Sequence, residues 1–324
     1  MRCLVVLAVL AGSVVPPAAA QRFPPDSFTN LKVLPKDIAP RELVTLMAAF
    51  TRALGVRCTF CHVGEEGRPI GTYEFAKDDK LPKRKAREMI KMVQAINDHH
   101  LSRLEERVEP RLAVQCATCH RGVREPRTLQ DLLLGAYGAG GLDSTLARYR
   151  VLREQYYGRA SYDFGEVTLT DVATAVWGQN RPADAVRLLE LNVEVNPTSR
   201  FGQTQYAMRA IELAFRERGV AAGVAWYRAL LARFGAEGVP EWAVNQLGYT
   251  LLRGGKPAEA VEIFKVNVEA YPESWNAHDS LGEGFAAVGD VVRAIASYER
   301  SLVLNAENAN ARVKLEELRR RGAP

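Results

Sequence analysis

The chain has 324 residues, with 43 Lys+Arg against 38 Asp+Glu and a formal charge of +5. So small an excess, with no dense basic run, gives no indication of a nucleic-acid partner. Apart from its first residues, no stretch is long and apolar enough to span a bilayer, so no transmembrane segment is expected in the mature chain.

Residues 1–20 read as an export signal: Arg2, an apolar run from Cys3 to Leu10, then Ala18, Ala19 and Ala20 before Gln21. Cys3 stands at the head of this run, far from the cleavage site, and leaves with the signal. The charge then falls to +4, from 42 Lys+Arg minus 38 Asp+Glu. Gln21 to Asp37 is Pro-rich and polar and is expected to run extended over the surface.

Arg41 to Leu54 reads as an amphipathic helix, because Leu43, Met47, Phe50 and Leu54 recur at spacings of three and four. Pro40 stands before it, and Gly55 after it is suited to a left-handed helix end. Cys58-Thr-Phe-Cys61-His62 follows, and the same spacing returns in Cys116-Ala-Thr-Cys119-His120. This C-x-x-C-H pattern is that of covalent c-type haem attachment. Two thiols add to the vinyl groups, and the histidine supplies one axial nitrogen. A disulfide in each pair, one zinc site of four cysteines, or thioredoxin-like redox pairs would use the same cysteines, but none of them needs the histidine. With 5 His in 324 residues, a chance histidine at both places is roughly a one-in-four-thousand event. The expected cofactors are therefore two covalently bound c-type haems. Their four propionates would roughly cancel the positive excess, and attachment outside the cytoplasm places the protein in the periplasm.

Met47, on the helix eleven residues before Cys58, is the candidate sixth ligand of the first iron. Val63 to Lys80 reads as a loop or short hairpin. A second approach helix, Lys83 to Asn97, carries Met89, Met92, Val93 and Ile96 on one face, so spacing alone does not choose between the two methionines. His99 and His100 are further candidates at its end. Lys80, Lys83, Arg84, Lys85 and Arg87 read as the solvated face of this helix, with a docking patch or propionate neighbour as the alternative. Arg57 and Arg121 flank the motifs as candidate propionate partners.

These residues carry a resemblance. The run from Leu46-Met47 through the first motif, then Arg87 to Asn97, then the second motif with Arg121-Gly122, resembles the cytochrome subunit of photosynthetic reaction centres over about residues 28 to 126. The resemblance implies Met47 with His62 for the first haem and Met89 with His120 for the second, leaving Met92 to packing. That family carries four haems as two such units, and this chain has one unit. Ser102 and Arg103 stand where the family takes a histidine ligand for another haem.

After Pro126 the composition changes, and residues 127–162 read as a helical linker punctuated at Gly138 to Gly141. Beyond it, the stretch starting at Pro182 (Pro-Ala-Asp-Ala-Val-Arg) is echoed at Pro257 (Pro-Ala-Glu-Ala-Val-Glu). A third copy starts 34 residues later at Val291, and a weaker one starts at Val220. This period and its helix-turn-helix pattern resemble tetratricopeptide repeats. Ala311 to Arg321 would be the polar closing helix. No catalytic set stands out in this half; its one histidine, His278, reads as a plain helix-face residue.

The expected architecture is all-α: signal peptide 1–20, dihaem cytochrome c domain 21–126, linker 127–162 and repeat domain 163–324. The expected function is single-electron transfer without enzymatic catalysis. Its partners would be a reaction centre or respiratory complex and a soluble donor, with the repeats holding a protein or peptide. A dihaem peroxidase and a haem-containing scaffold are the competing classes. Two methionine ligands argue against the first, which needs an open iron position.

Overall fold

The computed structural model describes residues 23–105 and 111–322. The expected export signal lies outside the described residues. The protein is all-α: among the described residues there is no strand, only an isolated antiparallel bridge between Val63 and Glu74. No described helix is long and apolar enough to cross a membrane. The chain divides into two compact units, Met1–Arg127 and Thr128–Pro324.

Among its described residues the first unit has four α-helices: α1 (Pro40–Leu54), α2 (Cys58–Cys61), α3 (Leu81–Ala95) and α4 (Cys116–His120). Pro40 opens α1, where a missing N–H costs nothing. Gly55 closes it at φ 62°, with Gly55 N–H donating to the Arg52 carbonyl and Val56 N–H to the Thr51 carbonyl. That pair of bonds is a Schellman end. Helix α3 runs on into one π-helical turn, Ile96–His100, and a 3₁₀ turn, Leu101–Arg103. The loop between α2 and α3 is short-range in character, with the Val63–Glu74 bridge and a 3₁₀ turn at Ile70–Thr72.

This unit buries few apolar side chains of its own. Among its described residues the buried hydrophobics are Leu43, Ala53 and Val123, while Ile70, Leu81, Met89, Met92, Leu104 and Leu112 are exposed. A chain of about a hundred residues normally needs a larger apolar core, or a metal, disulfide or prosthetic group in its place.

The second unit has a continuous core. It begins with α5 (Leu129–Tyr156), kinked at Gly140–Gly141. Four helix pairs follow: α6 (Glu166–Gly178) with α7 (Pro182–Val195), α8 (Arg200–Arg218) with α9 (Val220–Gly238), α10 (Glu241–Arg253) with α11 (Pro257–Ala270), and α12 (Trp275–Ala287) with α13 (Val291–Leu304). The closing helix is α14 (Ala309–Gly322). Small residues let the paired helices approach: a Cβ at Gly248 would fall 2.2 Å from the Phe264 ring, and one at Gly282 would fall 2.9 Å from Tyr298. The stretch read as a linker supplies Leu129, Leu133, Tyr149 and Leu152 to this core. Its glycines bend a helix whose two arms are both buried.

Candidate haem-attachment site

Each motif forms one helical turn. In α2, His62 N–H donates to the Cys58 carbonyl at 3.0 Å. In α4, Gln115 and Thr118 close a reciprocal capping box, with Gln115 N–H donating to Thr118 Oγ1 at 3.0 Å. Residues three apart on a helix share one side, so both thiols of each pair face the same way. All four cysteines are free of disulfides. Among the described residues no group of three or more His, Cys, Asp or Glu is placed to hold a metal, so the four cysteines do not converge as a zinc site would require. Burial, the foremost cause in both cases, pushes the Cys61 and Cys116 thiols up. That is the reverse of the lowered thiol of a thioredoxin-like pair.

The second motif is anchored from two sides. Gly122 N–H donates to the Ala53 carbonyl at the end of α1 at 2.8 Å. Asn97 grips the approach to α4: its Nδ2 donates to the Val114 carbonyl at 2.9 Å, and its Oδ1 accepts from Val114 N–H at 2.8 Å. His120 Nδ1 lies 3.0 Å from the Val123 carbonyl. A carbonyl only accepts, so Nδ1 carries the proton and the Nε2 lone pair is left for a metal.

The first motif is held differently. Lys80 Nζ donates to the Thr59 carbonyl, and Thr59 Oγ1 donates to Glu66 at 3.2 Å. The His62 ring meets Phe75 edge-on at 4.9 Å, and its Nδ1 is buried with no hydrogen-bond partner. Burial first, then the Lys83 charge, lowers its pKa to about 4, against a smaller opposing influence of the Phe75 backbone. His62 is thus a neutral imidazole at pH 7. The Arg124 guanidinium lies over the Phe60 ring at 5.5 Å, linking the first motif to the segment after the second.

Helix α1 packs on α4, and α2 packs on α3. Each methionine helix therefore touches the other motif's turn at one end. Met47 lies six residues from Ala53, and Met89 lies six from Lys83. Met47 is half-buried. Met89 and Met92 are 40% and 44% exposed, so burial does not separate them. His99 and His100 are exposed on the π-helical turn.

Of the basic group on α3, Arg84 and Lys85 are exposed as a solvated face would have them, whereas Lys83 and Arg87 turn inward. Lys83 is buried and donates to the carbonyls of Phe75 and Lys77. Arg84 donates to the carbonyls of Asp78 and Asp79, and Arg87 to the Asp78 carboxylate and the Asn30 carbonyl. Asp78 collects Lys32, Lys83 and Arg87, whose hydrogen bonds hold its carboxyl well below the usual range. This hub ties the extended N-terminal segment and the loop to α3. Only the pairing of Asp78-Asp79 with nearby cations hints at it in the sequence; Asn97 carries no such sign.

The residues fit a covalent haem at each motif. Paired free thiols sit on one turn beside a histidine, His62 or His120. Around them is a unit whose apolar core is small and whose apolar α3 face is exposed.

Residues 12–130, which contain both motifs, match the family model described as photosynthetic reaction centre cytochrome C subunit. No curated protein matches the chain. Among solved structures, a MamA protein (RS-1, ArsTM double mutant) is similar at 15% identity over 49% of this chain and 85% of its own, with TM-score 0.31. A MamA fragment from Desulfovibrio magneticus RS-1 is similar at 16% over 49% and 86%, with TM-score 0.31. TTC0263, described as a thermophilic TPR protein in Thermus thermophilus, is similar at 18% over 59% and 96%, with TM-score 0.29. At these scores the all-α assignment rests on the helix pairs themselves.

Proposed function

We infer that this chain is an exported dihaem cytochrome c that carries single electrons in the periplasm, with a repeat unit that docks it to a protein partner. The reading is supported by the match of residues 12–130 to the reaction-centre cytochrome family. The single observation that carries it is the pair of one-turn helices, each with two free thiols and a following histidine.

Cys58 and Cys61 would hold the first haem, with His62 and Met47 as axial ligands; Cys116 and Cys119 would hold the second, with His120 and Met89. The bound haem supplies a one-electron iron couple. The chain's residues do the rest. Val123 orients the His120 ring through its carbonyl, and burial keeps His62 neutral so that its lone pair is available. Thioethers from Met47 and Met89 would favour the ferrous state and raise the potential. With His62 and Met47, and His120 and Met89, all given to iron, neither site would keep a position for substrate, which suits a carrier rather than a peroxidase. The donor and acceptor are redox proteins of a photosynthetic or respiratory chain, and the repeats take a protein or peptide.

The test is the alkaline pyridine spectrum of the exported protein. It should show the c-type band of haem with both vinyls saturated, at two haems per chain, and dithionite should reduce both. A spectrum of extractable, non-covalent haem, or none, would contradict the assignment.

A further inference from the structure

The two motif histidines stand in unlike surroundings. His120 Nδ1 has the Val123 carbonyl at 3.0 Å. His62 Nδ1 is buried and has none. The Phe75 ring meets the His62 ring edge-on at 4.9 Å, and the Phe75 carbonyl receives Lys83 Nζ at 2.8 Å. Lys83 is only 9% exposed and also donates to the Lys77 carbonyl at 2.6 Å. Its carboxylate partner, Asp78, is 2.9 Å away but is shared with Lys32 and Arg87, each at 2.8 Å. One carboxylate against three cations leaves the cluster two charges positive (three minus one).

Two physical effects then act in the same direction. An imidazole whose Nδ1–H is hydrogen-bonded to an acceptor is the more basic metal ligand and stabilises the oxidised metal. A buried positive charge nearby favours the state with one more electron.

We propose that Lys83 is a positioning residue of the first attachment site. By holding a buried positive charge on the Phe75 carbonyl, next to His62, it makes the Cys58–His62 haem the higher-potential one. Electrons then pass from the Cys116–His120 site to the Cys58–His62 site. This rests on the two-haem reading above.

Spectroelectrochemical titration of the haem-loaded, full-length protein tests it. Two waves are expected, and the higher one should persist in Cys116→Ala/Cys119→Ala, which lacks the second attachment. Lys83→Met should move that wave downward and leave the lower one in place. Asp78→Asn, which removes the counter-charge, should move the same wave upward. Opposite shifts from the two variants are a signature that a purely structural role does not produce. Coincident waves, a higher wave belonging to the second site, or a Lys83→Met titration equal to wild type would overturn the proposal. If Lys83→Met fails to load haem, Asp78→Asn decides, and a lack of upward shift overturns it. Failure of the two-haem reading is separate, since it appears as missing covalent haem in the wild-type protein before any titration.

Discussion

Gly55 and Gly122 meet backbone to backbone: a Cβ at Gly55 would lie 2.1 Å from the Gly122 carbonyl oxygen. Gly55 also holds φ 62°, and Gly122 holds φ 85°. The left-handed end of α1 and the residue just past the second motif thus require one another. Gly55→Ala should cost about 1–2 kcal/mol for the left-handed backbone alone, with the clash adding to it. Thermal unfolding of unit 1 and haem occupancy at Cys116 and Cys119 read this out. Unchanged melting and full occupancy would contradict the packing described.

Asn97 makes two hydrogen bonds to one residue, Val114, at 2.9 and 2.8 Å. Asn97→Ala leaves the Val114 N–H and carbonyl unpaired, at a cost of about 1–3 kcal/mol. Asn97→Asp keeps the acceptor and loses the donor, so its loss should be intermediate. Amide exchange at Val114 and Gln115 should quicken in both variants.

The axial ligands are read from the far-red absorption band that ferric iron shows when bound to methionine sulfur. Met47→Ala and Met89→Ala should each weaken it. Loss of the band in Met92→Ala instead would move the second ligand three residues along α3. No effect from either α3 variant would favour His99 or His100.

Asp78 gives a pH signature with a defined sign. Its folded pKa is depressed, foremost by the hydrogen bond from Arg87 and then by those from Lys32 and Lys83. Its stabilisation is therefore fully present above the unfolded carboxylate value, about 4, and is lost as the pH falls below it. In Asp78→Asn the acid limb of the unit 1 stability profile should flatten.

Leu133 is fully buried in the core of the second unit. Leu133→Ala should destabilise that unit by about 2–5 kcal/mol while leaving haem loading intact. A chain ending at Arg127, the boundary of the first unit, should still hold both haems and accept electrons from dithionite. It should lose binding to the protein partner proposed for the repeats. A truncated chain that holds no haem would make the repeats part of the haem domain's core.

Much of this was legible from local pattern. Pro40 and Gly55 bound α1 because both residues act through their own backbone, and the 34-residue echo at Pro257 and Val291 reflects a unit repeated in space. Lys83 was not legible. Its burial depends on carbonyls at Phe75 and Lys77 and on a carboxylate shared with Lys32, partners brought in by tertiary folding without periodicity. Asn97 escaped for the same reason, its partner being 17 residues away across an irregular segment. In α5, the glycines that suggested a linker mark a bend between two buried arms. A kink and a linker look alike until the packing on either side is seen.

The most direct measurement is the intact mass of the exported protein after extraction with acidic acetone, which strips non-covalent haem. The account predicts the mass of the processed chain plus two haems, falling to one when Cys58 and Cys61, or Cys116 and Cys119, are replaced by alanine. A mass equal to the bare polypeptide would contradict it.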